Sequence, residues 1–115
     1  MINFQVHTQT SAPEDSQPLL DKTQKAYGLI PSLHGVMAQS PQLLEAYQAL
    51  TNLFMQSSLS KEQRHVVWLT VAVSHQCHYC VPAHCQIATL DGIDPELIRA
   101  IRSDQPIADK QLEAL

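Results

Sequence analysis

After about position 17, apolar residues recur at three- and four-residue steps, and proline, glycine and hydroxyl residues interrupt them at intervals. Leu19, Leu20, Thr23, Ala26 and Tyr27 share one side of a helix that Pro18 can open and Gly28 can close. Pro31 and Ser32 can start a short helix carrying Leu33, Val36 and Met37. Ser40-Pro41 pairs a hydroxyl N-cap with proline at the first helical position. Behind it Leu43, Leu44, Tyr47, Leu50, Leu53 and Phe54 predict one apolar face. Ser60 and Gln63 have capping-box spacing, so a further helix is expected from Lys61. Asp94-Pro95 repeats the cap-plus-proline start ahead of Leu97, Ile98 and Ile101, and Pro106 can open a last helix through Leu112 and Leu115.

One segment fits two patterns. VVWLTVAV, residues 66–73, is rich in β-branched residues and by itself would pass for a buried strand. The cap at Ser60, the uninterrupted run to about residue 75 and the lack of a second strand to pair with it favour a helix. A helix apolar on every side is a central one. The fold class is therefore all-α. Residues 1–15, which contain Pro13 and show no helical period, are expected to form an extended arm, with one helical domain over 16–115.

Composition narrows the function. A hydrophobic content of 44 % with 16 % charged residues fits a folded domain and argues against disorder. The net charge of −4 gives no general grip on nucleic acid or an anionic membrane. So little charge on a small domain also points to a surface covered by partner subunits. No stretch approaches the roughly 18 apolar residues of a membrane span. The first residues lack a basic patch followed by an apolar core, so no signal peptide is read there. Three cysteines within nine residues make a poor disulfide framework for a secreted domain. The expectation is a cytoplasmic protein with working or ligating thiols.

Those thiols lie in SHQCHYCVPAHC, residues 74–85, which also holds three histidines. Cys77 and Cys80 form a C-x-x-C, and Pro82 suits the first turn of a helix beginning near Cys80. A thiol at a helix start is ionised more readily, because the unpaired N–H groups and the helix dipole stabilise its anion. His84 follows Cys80 by four residues and shares its helical face, the arrangement of a nucleophile with its base. Haem attachment fails, since Val81 rather than histidine follows the second cysteine. Zinc would draw on Cys77, Cys80, His84 and one of His75, His78 or Cys85, but structural zinc sites usually combine two separated ligand pairs. A buried, inert cysteine pair is the bland reading. Cys85, beside His84, points elsewhere around the helix and reads as a small core residue, while His75 and His78 read as loop or helix-end residues.

Two matches in order, GLIPSLHGVMAQSPQLLEAYQAL and VVWLTVAVSHQCHYCVPAHCQIATLDGI, resemble the AhpD-like branch of the carboxymuconolactone decarboxylase family from about Leu19 to Leu115. The resemblance implies an AhpD-like helical bundle, an obligate homotrimer or homohexamer, and thiol-dependent reduction of hydroperoxides in antioxidant defence. It implies Cys80 as the peroxidatic thiol, Cys77 as the resolving one and His84 as base, with an external dithiol as reductant and no cofactor or metal. Redox members carry a glutamate twelve residues before the first cysteine; this chain has His65 there, with Glu62 the nearest carboxylate in sequence. Histidine can relay protons in that place. Relatives without paired cysteines decarboxylate lactones, and a zinc-binding or purely oligomeric module is the reading outside enzymes.

Overall fold

The computed structural model describes residues 2–115, and every regular element among them is helical. A short 3-10 turn at Glu14–Ser16 leads into α1 (Gln17–Tyr27), α2 (Ser32–Met37) and α3 (Pro41–Met55). Then come α4 (Lys61–Ser74), α5 (Cys80–Leu90), α6 (Pro95–Arg102) and α7 (Lys110–Glu113). The chain forms two compact units, Met1–Gln56 and Ser57–Leu115. No helix among the described residues is long and apolar enough to cross a membrane.

In the first unit the start signals act as the sequence predicts. Ser40 accepts from the N–H of Leu43 to open α3, and Gly28 closes α1 at a left-handed φ of 74°. Leu20, Met37, Ala38 and Leu44 form the core with Ala12. The apolar face expected on α3 is narrower than the pattern drew it: Leu44 is buried and Tyr47 half-buried, whereas Leu43, Leu50 and Leu53 are exposed. The arm is tied down rather than loose. The His7 N–H donates to the Gly35 carbonyl at 3.0 Å, and a Cβ on Gly35 would lie 2.7 Å from the His7 carbonyl oxygen, so only glycine lets the arm pass so near.

The second unit is built around α4. Both halves of its capping box are made: Ser60 Oγ accepts from Gln63 N–H, and the Gln63 side chain accepts from Ser60 N–H. VVWLTVAV is helical, and its Val66 and Leu69 pack with Ala88 of α5, with Leu97, Ile98 and Ile101 of α6, and with Leu112. Its opposite side is partly open, with Val71 exposed. The last helix starts at Lys110 rather than Pro106, because the Asp109 carboxylate accepts the N–H groups of Gln111 and Leu112 and so sets the start.

Candidate dithiol site

The way α4 stops fixes Cys77. Gln76 adopts a left-handed φ of 50°, its N–H returns to the Val73 carbonyl at 2.9 Å, and the Cys77 N–H returns to Ala72 at 3.0 Å. This paired return closes a helix end, and here it delivers a cysteine directly behind the turn. Cys80 then opens α5 as the sequence predicts. Tyr79 holds the N-cap position without a side-chain capping bond. Instead the Cys80 N–H donates to Cys77 Sγ at 3.0 Å and the Val81 N–H to the Cys77 carbonyl at 3.1 Å. The helix-start donor, expected to serve Cys80, is aimed at the sulfur of Cys77 instead.

The two residues are joined as a disulfide, with Cα atoms 5.2 Å apart, within the usual span of such bonds. Both are half-buried, so solvent reaches the pair. His84, one turn on from Cys80, stacks on the indole of Trp68 with ring centroids 5.3 Å apart. Burial, and secondarily the neighbouring His65, push its imidazole below the ordinary histidine value, so it stands neutral. Trp68 also meets His65 edge-on at 5.5 Å, so one indole touches both rings.

His65 is buried on α4, and its Nε2 lies 2.7 Å from Asp91 Oδ2. Its carboxylate partner is therefore Asp91, at the end of α5, rather than the exposed Glu62 nearby in sequence. Asp91 and Gln76 are the residues that sequence reasoning missed. Asp91 had a signal: eleven residues after Cys80 and seven after His84, it falls on the same helical stripe. Gln76 had none, because glutamine rarely takes a left-handed turn.

The remaining candidates lie apart from this chemistry. His75 caps the end of α4 and His78 sits in the turn, both exposed. Cys85 is free, packs against the core of its unit, and has its thiol pushed up by burial, an effect that Arg102 opposes. No group of three or more His, Cys, Asp or Glu side chains among the described residues is arranged to hold a metal, and two of the sulfurs a zinc site would use are bonded to each other.

A C-x-x-C pair at a helix start, with a neutral imidazole one turn on and a buried histidine of the packed helix bonded to an exposed carboxylate, defines an all-helical dithiol protein. The carboxymuconolactone decarboxylase family model matches residues 41–113, and the chain belongs to that family. Among solved structures it is similar to the AhpD core of an uncharacterized peroxidase-related protein from Ralstonia eutropha JMP134, with a TM-score of 0.81 and 22 % identity over 96 % of this chain. It is also similar to an uncharacterized peroxidase-related protein from Silicibacter sp. TM1040, with a TM-score of 0.69 and 28 % identity over 86 % of this chain. The matched regions span 60 % and 55 % of those chains. A search of curated protein sequences finds no significant match.

Proposed function

We propose that this protein is a peroxidase-like thiol oxidoreductase that reduces hydroperoxides, or a partner's disulfide, by cycling Cys77 and Cys80 between dithiol and disulfide. In the first step Cys80 thiolate attacks the outer peroxide oxygen. The O–O bond breaks, the sulfur becomes a sulfenic acid, and the alkoxide takes a proton to leave as an alcohol. Cys77 thiolate then attacks the sulfenic sulfur, forming the disulfide as the S–O bond breaks, and the expelled hydroxide takes up the proton that Cys77 gave up, leaving as water. An external dithiol reduces that disulfide by exchange and is itself oxidised. The observation that carries this reading is the bonded, solvent-reached cysteine pair at the start of α5. The aim of the Cys80 N–H at Cys77 Sγ supports the second step, which needs Cys77 ionised. His84, held neutral, supports the first as the base for Cys80.

All the groups this cycle uses are protein side chains and two diffusible reactants. The working form is a homo-oligomer, a trimer or hexamer, in the cytoplasm, where thiols are kept reducible. The test is peroxide consumption with dithiothreitol as reductant. Cys80→Ser is expected to lose turnover by at least a hundredfold, and thiol titration should show two thiols per chain lost on oxidation of the wild type. Turnover unchanged in Cys80→Ser removes that sulfur from the mechanism.

A further inference from the structure

His65 is 1 % exposed, yet the side chain it bonds is one that solvent reaches, since Asp91 is 41 % exposed. A carboxylate only accepts, so Nε2 of His65 must carry the hydrogen of that 2.7 Å bond. In the neutral ring Nδ1 is then the nitrogen with the lone pair. That atom is buried and has no hydrogen-bond partner among the described residues, and the same holds for Nδ1 of His84. A buried polar atom left without a partner calls for a reason, and two imidazole nitrogens in that state lean on one indole.

Asp91 is itself held in place. Gly92, at a φ of 77°, ends α5; its N–H returns to Thr89 at 3.1 Å and that of Ile93 to Ala88 at 3.0 Å. Lys61, one turn before His65 on α4, donates from Nζ to the Asp91 carbonyl at 2.7 Å. Backbone and side chain of Asp91 are thus both fastened to α4. Among the described residues, Lys61 from α4 bonds the Asp91 carbonyl and His84 from α5 feels the charge of His65. On α6, Arg102 acts on Cys85 and Arg99 pairs with Glu96.

We propose that Asp91 is a positioning residue for the dithiol site, holding His65 with its proton on Nε2 so that Nδ1 serves as a proton-accepting nitrogen in the same buried seam as His84. The inference rests on the dithiol reading above and adds to it a place for the thiol proton. The proton leaves Cys80 for the imidazoles and returns from them to the alkoxide, so none is gained or lost. His84 alone is a poor store, because burial and its neighbour both oppose a charge on it. His65 has a counter-charge at 2.7 Å. Asp91 never touches the peroxide and acts only through His65.

The experiment combines ring nitrogen-15 shifts of His65 with the rate of thiol oxidation by hydrogen peroxide from pH 6 to 9. Reduced wild type, Asp91→Asn, Asp91→Glu and Cys80→Ser are compared. Wild type should show the Nε2–H form. Asp91→Asn, whose amide can present either its oxygen or its NH2, should mix the two forms and oxidise about tenfold more slowly at pH 7. That is a fraction of the roughly 10²–10⁴ that a direct acid–base group supplies. The deficit should close toward pH 9, past the usual thiol value of about 8.5, where solvent ionises the thiol unaided. Asp91→Glu should recover part of the loss. A wild-type ring protonated on Nδ1 overturns the proposal, as does an Asp91→Asn rate deficit equal at every pH or absent. Cys80→Ser oxidising as fast as wild type would instead overturn the dithiol reading, and the tautomer measurement does not depend on that outcome.

Discussion

His34 and His84 are both pushed below the ordinary histidine value of 6.5, and in each case burial is the leading cause. The folded protein therefore refuses protons that the unfolded chain takes up once the pH falls below that value. Stability drops over that interval and levels off below the depressed folded values. Urea midpoints are expected to be lower at pH 5.5 than at pH 7.5, and replacing both residues with glutamine should flatten the difference; a slope unchanged in that double variant contradicts the assignment. At this scale the sequence was readable where chemistry clusters. Cys77, Cys80 and His84 stood out because reactive residues repeat at helical spacing. His34 did not, because its bond to Thr23, 3.0 Å away on α1, depends on how two helices meet. Asp91 was obscured similarly, its partner lying 26 residues away.

Helix starts were more legible than helix ends, among which Gly28 closing α1 was foreseen. Ser40, Ser60 and Asp94 cap through their own side chains, so the residue type announces the event. The ends of α4, α5 and α6 share one backbone pattern, with Gln76, Gly92 and Asp104 in the left-handed region at φ of 50°, 77° and 52°. Only the glycine could be recognised. A residue with a Cβ pays roughly 1 kcal/mol or more to stand there. Gln76→Gly should accordingly raise unfolding stability by up to about 1 kcal/mol, part of the gain being lost to a freer unfolded chain. Urea denaturation of the reduced protein measures it, and a destabilised variant would show that the glutamine side chain contributes more than the strain removes. The late start of α7 follows from the same asymmetry: Asp109 offered a side-chain cap, while Pro106 offered only a permitted φ.

Taken as a molecule, the chain exposes more large apolar residues than a lone small domain needs. Leu43, Leu50 and Leu53 recur along one stripe of α3, and Leu50 is 67 % exposed. The alternation of apolar and polar positions announced that α3 had an apolar face, yet could not say that part of it would be left uncovered by its own unit. The proposed homo-oligomer would cover such a stripe. Sedimentation is expected to give a mass several times 12.8 kDa, with Leu50→Glu shifting it toward one chain; a wild-type monomer at micromolar concentration rules the assembly out. Backbone bonds tie the Cys77 N–H to the Ala72 carbonyl and the Val81 N–H to the Cys77 carbonyl, and neither uses the sulfurs. If the proposed sulfenic acid forms on Cys80, ring closure by Cys77 is unimolecular, whereas pushing it on to the irreversible sulfinic level takes a second collision with oxidant. In the proposed cycle the neighbouring thiol would win that race under a heavy oxidant dose, and the molecule would accumulate in its recoverable state instead of being burned out.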